Sequence, residues 1–251
     1  SRALTYCPAD THTVTGSAWV GDFGTSKIGL KAGGQQGSMN YVANVARYDT
    51  DGFRDHSAAI RDNFNSKLRL DVNQDTSVSL VANSLNQEAQ SPGSLTKAQF
   101  EADPTQSGTD PIFDTREYLE NSQVGALLNH KLTTADTIRL AGYTGTRTVE
   151  AYQNFGFAQN VNFTGGRGAL GLDREFYGLD LRWTRQADLS GMPFNFTAGV
   201  NYDYMTERRN SWDNDDGVKG ALGRDEDNSV FNFDQFAQAE LGVTERWSIS
   251  G

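Results

Sequence analysis

The sequence predicts an all-β fold, an antiparallel up-and-down meander that forms part of a transmembrane β-barrel. The first observation is the alternation of apolar and polar residues in "MPFNFTAGVNYDYM" (192–205), typical of a strand with two different faces. The second is that many strand-like runs exceed the roughly 5–6 residues usual in soluble sheets. The third is that short turns alternate with long connections along the chain, as they do in outer-membrane barrels.

About ten runs have the composition of strands, and their connections have two different lengths. The runs lie near residues 12–22, 25–33, 39–49, 62–72, 77–86, 117–132, 137–151, 173–186, 193–207 and 230–243. The short turns include "NQDT" and "TTAD", whereas the long connections are 49–59, 87–116, 153–172 and 209–228. A soluble β-sandwich is the alternative, but its strands are usually short and joined in Greek-key order.

The apolar positions predict a lipid-facing surface bounded by aromatic residues, because Trp and Tyr favour the two membrane interfaces. The stretch 194–204 advances ten residues at about 3.3 Å each, and a tilt of about 40° projects it onto roughly 25 Å, the height of an outer-membrane apolar band. The candidate membrane-interface aromatics are Tyr177, Trp183, Phe194, Phe196, Tyr202 and Tyr204. The alternative is a half-buried sheet with aromatic side chains in its core.

The opposite faces of these strands carry charges that a packed core would not accept. They are Arg69, Asp71, Arg139, Arg147, Asp180, Arg182 and Asp203. Burying such groups without partners is costly, and a lumen filled by water or by a polar plug domain removes that cost. Barrels of about eight strands have no such lumen, so a larger barrel is predicted.

Composition and motifs exclude several other functions. The net charge of −10 disfavours nucleic acid as a partner. The three histidines lie on separate segments without metal-ligand spacing, and no catalytic motif occurs, so we predict no metal site, no cofactor and no enzyme activity. The acidic stretch "WDNDDG" (212–217) predicts a solvated loop, with a weak divalent-cation site as the alternative. Thr96 and Gln99 have the spacing of a capping box, which predicts a short helix in the longest connection, with an irregular loop as the alternative.

The run "YVANVARYDTDGFRDHSAAIRDNFNSKLRLDVNQDTSVSLVAN" (41–83) resembles the early barrel strands of TonB-dependent outer-membrane receptors. The stretch "SPGSLTKAQFEADPTQ" (91–106) resembles a loop of their iron-complex branch, and also of members proposed to import other bulky cofactors. The resemblance extends over residues 12–251. It implies a 22-stranded barrel in the cell outer membrane, filled by an N-terminal plug. This chain would be a barrel fragment without the plug and the C-terminal strands, and residues 1–11 a leader or junction of unclear origin.

The resemblance implies binding and gated import of a large scarce ligand, typically a ferric siderophore, with TonB acting through the plug. Outer-membrane lipid and lipopolysaccharide would surround the wall. A secreted adhesive protein, a soluble β-sandwich and an importer of another bulky cofactor are the alternatives. Loop residues able to hold an anionic, aromatic or hydroxamate ligand are Arg54, His56, Tyr152, Phe155, Arg167, Arg208, Arg209 and Trp212. The alternative for each is an ordinary solvated side chain.

Overall fold

The computed structural model of the chain describes residues 12–108, 111–153, 168–244 and 246–251. The strands in these ranges are β1 (His12–Val20), β2 (Ser26–Gln36), β3 (Met39–Thr50), β4 (Ala59–Asp71), β5 (Thr76–Gln90), β6 (Arg116–Lys131), β7 (Asp136–Tyr152), β8 (Gly168–Leu189), β9 (Met192–Asp215), β10 (Val218–Thr244) and β11 (Trp247–Ser250). A helix, α1 (Lys97–Ala102), and a 3₁₀ turn (Pro111–Phe113) lie between β5 and β6.

These strands form one sheet in sequence order, and each pairs antiparallel with the next. The prediction of an all-β, antiparallel up-and-down meander is confirmed, with eleven described strands instead of about ten. A sandwich needs two packed sheets. Because all described strands belong to a single sheet, the sandwich alternative is wrong for this part of the chain.

The two ends of the sheet differ in their connections. One end, here called the turn end, has tight links such as residues 37–38 and 190–191, whereas the other, the loop end, carries the links 51–58 and 91–115. The predicted long loop at 209–228 is wrong, because β9 and β10 continue to a two-residue link. Asp216 (φ 51°) and Gly217 (φ 85°) both have positive φ there, as a type I′ hairpin turn requires.

The described part of the sheet has no hydrophobic core of its own. Its buried apolar residues are Ala151, Tyr152 and Ala169, and every residue of β1 is exposed. Large apolar side chains such as Val14 and Phe231 remain more than two-thirds exposed, at 72% and 71%. The sheet is therefore a wall with two faces, and other molecules or segments must cover its apolar side.

The predicted short helix in the longest connection is confirmed. The Thr96 hydroxyl accepts a hydrogen bond from the backbone N–H of Gln99 at 3.2 Å, and the Gln99 side chain accepts one from the N–H of Thr96 at 2.9 Å. This reciprocal pair satisfies two donors that the first turn leaves free. The helix begins at Lys97 and ends at Ala102, so α1 is one short element within the β5–β6 connection at the loop end.

Candidate functional site

Cross-strand register sorts the side chains onto two faces, because residues directly opposite each other project to the same side. On the apolar face, Tyr177 of β8 lies opposite Tyr204 of β9, with 5.3 Å between ring centroids. Nearer the turn end, the rings of Trp183 and Phe196 are 5.7 Å apart. Aliphatic residues such as Leu181 lie between these aromatic ends. This face holds all six candidate interface aromatics: Tyr177, Trp183, Phe194, Phe196, Tyr202 and Tyr204.

The opposite face, here called the polar face, holds all the charged residues that the sequence assigned to a lumen: Arg69, Asp71, Arg139, Arg147, Asp180, Arg182 and Asp203. Arg182 Nε donates to the Asp180 carboxylate at 2.9 Å. Asn201 Nδ2 donates to the Asp203 carboxylate at 2.7 Å, and the Tyr143 hydroxyl donates to it as well. Several of the polar groups on this face are thus paired with one another.

Toward the loop end, arginine becomes prominent on the polar face. Arg147 of β7 lies opposite Arg174 of β8, and Arg174 Nε is 2.5 Å from the Glu207 carboxylate of β9. Arg209 follows Glu207 on the same face. Arg174 and Glu207 are not among the site residues that the sequence predicts. The alternation within β8 and β9 could have assigned each to a face, but their pairing depends on the cross-strand register.

Arg54 and His56 tie two neighbouring connections of the loop end together. The Arg54 guanidinium donates to the backbone carbonyls of Gly93 at 2.7 Å, Gln106 at 3.1 Å and Pro92 at 3.2 Å, all in the β5–β6 connection. His56 Nε2 lies 2.7 Å from a fourth carbonyl of that connection. We call these two residues the loop brace. The Arg54 donors already bond to protein acceptors, so a direct ligand contact from this side chain stays a prediction.

A second set of contacts anchors the tip of the β9–β10 hairpin to β6 and β7. Arg116 donates to the carbonyl of Gly217 at 3.3 Å, and its guanidinium lies 3.8 Å from the centroid of the Tyr152 ring. Asn214 Nδ2 donates to the carbonyl of Phe113 at 2.8 Å. A guanidinium over an aromatic face is attracted by the ring quadrupole. The hairpin tip is therefore held against its neighbours, and we call this set the hairpin anchor.

The Lys219 ammonium adds an ion pair to the hairpin anchor, beyond the aromatic end of the apolar face. Its Nζ lies 2.5 Å from the Glu150 carboxylate and 4.4 Å from the Trp212 ring centroid. Burial raises the pKa of Glu150, but hydrogen bonds from Lys219 and Tyr152 outweigh burial and hold that pKa below its usual range. Both charged side chains are about one-third exposed, so solvent screening keeps the stabilisation modest.

The sequence-predicted ligand residues do not form one cluster in the described structure. Arg54 and His56 form the loop brace, and Arg209 is the member that lies on the polar face. Three more lie on the same side of the strands as the apolar face, between the Tyr177–Tyr204 pair and the loop end: Tyr152, Arg208 and Trp212. Phe155 and Arg167 lie outside the described residues. Their joint role in ligand binding stays a prediction.

Within the described ranges, no group of three or more His, Cys, Asp or Glu side chains is arranged to hold a metal ion. The acidic stretch 212–217, predicted as a solvated loop, belongs instead to β9 and the hairpin turn. No helix in the described part of the chain has the length and hydropathy needed to cross a membrane.

No family model matches the sequence. The structure is similar to that of the ferric citrate transporter FecA in its unliganded form, with a TM-score of 0.76 and 15% identity over 95% of this chain and 36% of FecA. It is similar to the ferric-catecholate import receptor Fiu of E. coli K12, with a TM-score of 0.75 and 12% identity over 97% of this chain and 44% of Fiu. It is also similar to the ferripyoverdine receptor of the outer membrane of Pseudomonas aeruginosa, with a TM-score of 0.64 and 13% identity over 95% of this chain and 36% of the receptor.

At these identities, the likeness shows the fold. Nearly the whole chain superposes on transporters and receptors, so its open sheet has the fold of a stretch of their barrel wall. The chain spans less than half of the length of each of these proteins.

Proposed function

We propose that residues 12–251 form part of the β-barrel wall of a TonB-dependent outer-membrane receptor, which imports a ferric siderophore or a similar large, scarce ligand. The observation that carries this proposal is the single meander with an apolar, aromatic-bounded face and a charged opposite face. In lipid, a sheet must close because each unpaired backbone group costs several kcal/mol. The remainder of a larger barrel is therefore expected to pair with β1 and with the free length of β10.

The apolar face is proposed to contact outer-membrane lipid and lipopolysaccharide. From Phe194 to Tyr204, this face covers about 33 Å along β9, or roughly 25 Å across the bilayer at a tilt of about 40°. The aromatic ends would then lie at the two membrane interfaces, where an apolar ring and a polar tip are both satisfied. We also propose that the loop end lies outside the cell and the turn end in the periplasm, because outer-membrane barrels have longer extracellular loops and short periplasmic turns.

The polar face is proposed to line the lumen and to meet a plug domain supplied by the rest of the protein. Its partly exposed ion pairs, such as Arg182 with Asp180, suit a hydrated surface along which a plug domain can move. TonB would act on that plug, so the wall encloses the path and performs no chemistry. Residues 1–11 are proposed to be a leader or junction of unclear origin.

The loop brace and the hairpin anchor support this function by fixing the rim. Arg54 bonds the 51–58 connection to the β5–β6 connection, and Arg116 bonds β6 to the tip of the β9–β10 hairpin. A rim ordered before the ligand arrives loses less conformational entropy on binding. The candidate ligand-binding residues would contact the ligand from this ordered rim. Their ligand could also be another bulky cofactor, since the resemblance at 91–106 extends to importers proposed for such molecules.

Uptake by cells tests this function directly. A strain that lacks the complete gene should lose uptake of one ⁵⁵Fe-labelled siderophore under iron limitation, and the full-length gene should restore it only when TonB is present. Uptake of every tested iron chelate without any dependence on the gene would contradict iron import. If growth instead depended on another bulky cofactor, the importer class would stand and the ligand would change. Recovery of the protein from the medium would favour a secreted adhesive protein.

A further inference from the structure

Near the loop end, the two faces of β7–β10 carry different charges. Two neighbouring cross-strand rows of the polar face contain three arginines, Arg147, Arg174 and Arg209, against two glutamates, Glu207 and Glu226. The alternate rows on the other side of the same strands carry mainly acidic residues: Asp173, Glu175, Arg208 and Asp227. Positive charge is thus concentrated on the inner side, although the chain as a whole has a net charge of −10.

Both glutamates of these two rows already have arginine partners. Glu207 lies 2.5 Å from Arg174, and Glu226 lies 3.2 Å from Arg224. Within the described residues, the exposed Arg147 guanidinium makes no hydrogen bond or ion pair, and it lies directly opposite Arg174. Like charges in directly opposed positions destabilise a sheet, so an anion placed between them would relieve a real cost.

Arg209 provides an independent sign of a missing partner. Its Nε is buried and has no hydrogen-bond partner among the described residues. A buried donor without an acceptor loses its hydration without compensation, and the loss is larger for a charged group. Arg209 lies one row beyond Glu207 toward the loop end, on the same face as Arg147. An acceptor that reached both arginines would therefore come from the lumen.

We propose that Arg147, Arg174 and Arg209 form an anion-binding site on the lumen wall, here called the arginine site, which receives free carboxylates of the transported ligand. The guanidinium fork matches a carboxylate in two parallel hydrogen bonds, which a neutral chelate cannot accept with equal strength. The inference rests on the proposed import function and narrows the ligand to a ferric chelate with exposed carboxylates. The site lies beyond the Tyr177–Tyr204 pair, where a ligand that has passed the loops first meets the wall.

Equilibrium dialysis of the complete receptor in detergent tests the site, with ⁵⁵Fe-citrate as the anionic probe and ⁵⁵Fe-ferrichrome as the neutral probe. Arg147→Gln and Arg209→Gln should each weaken citrate binding by about tenfold or more, since a hydrogen bond to a charged group contributes roughly 1.5–3 kcal/mol. Arg147→Lys should retain part of the affinity, because it keeps the charge but loses the fork. Citrate binding should also weaken as salt rises.

Arg47→Gln is the matched control, since Arg47 lies near the same end of the wall on the opposite face, bonded to Asp62 at 3.4 Å. It should leave citrate binding unchanged. Arg147 is an exposed strand residue, so its variant tests the site even if the Arg209 variant does not fold. Equal citrate affinity in wild type and Arg147→Gln would overturn the arginine site, as would preferential binding of ferrichrome. Those results leave iron import standing, whereas failure to take up any iron chelate in cells would contradict both iron import and the arginine site.

Discussion

An arginine at position 200 should destabilise the membrane-inserted barrel far more than an arginine at the adjacent position 201. Val200 lies on the apolar face opposite Leu181, four residues from both Phe196 and Tyr204. Four residues cover about 13 Å of strand, or roughly 10 Å of depth at a tilt of about 40°, which puts Val200 close to the bilayer midplane. Arginine at that depth costs about 2–4 kcal/mol. Val200 remains 38% exposed in the sheet, so lipid contact dominates the cost.

Position 201 faces a different environment. Asn201 lies on the polar face, opposite Asp180 and Asp234, and donates to Asp203 at 2.7 Å. An arginine there would lose that amide hydrogen bond but would meet three carboxylates. Exposed ion pairs contribute about 0–1 kcal/mol each, so the net change should stay within about 1 kcal/mol of zero.

Denaturant titrations of the complete barrel, folded into phosphatidylcholine vesicles, would compare Val200→Arg with Asn201→Arg. The difference in unfolding free energy should be at least about 1 kcal/mol, with Val200→Arg the less stable. Equal losses, or a larger loss at position 201, would refute the assignment of the two faces.

Three further predictions concern the ends of the sheet. A cysteine at Glu101 of the full-length protein should react in intact cells with a membrane-impermeant thiol reagent, whereas a cysteine at Asp75 should not; equal labelling would contradict the topology. Arg54→Ala removes three hydrogen bonds and should speed hydrogen exchange in residues 91–108 without lowering the melting temperature of the barrel; unchanged exchange would show that the loop brace is dispensable. Because the folded-state pKa of Glu150 lies below the usual value of 4.5, its stabilisation of the hairpin anchor is present above that pH and is lost as pH falls further. Hydrogen exchange at residues 212–219 should therefore accelerate in acid, and Glu150→Gln should abolish this pH dependence.

The strand positions and their faces could be predicted from the sequence because period-2 alternation is a local signal. The first seven described strands match the predicted runs to within a few residues, and Asp180 and Arg182 lie on the face opposite Tyr177. The main error was the loop at 209–228. The polar composition of 209–228 is typical of a loop, whereas Asp216 followed by Gly217 is a strong signal for a two-residue hairpin turn.

The contacts of the loop end could not be predicted. Arg54 bonds to backbone carbonyls, which have no sequence signature, in a connection about forty residues further along. The pairing of Arg174 with Glu207 depends on register across β8 and β9, and a shift of one residue would send every side chain of a strand to the other face. Alternation along a strand predicts the face on which a side chain lies. Its neighbour from the next strand is known only once the register between the two strands is known.

Site-directed spin labelling along β9 tests the central claim most directly. Single nitroxides would be placed at each residue from 194 to 204 of the complete receptor in lipid bilayers, and collision with oxygen would be compared with collision with a water-soluble nickel complex. A lipid-facing strand in a barrel with a wet lumen predicts high oxygen accessibility at even positions and high nickel accessibility at odd positions, with oxygen accessibility greatest near 200. Accessibility to nickel at every position, or no alternation, would contradict the claim that this chain is a membrane-spanning wall.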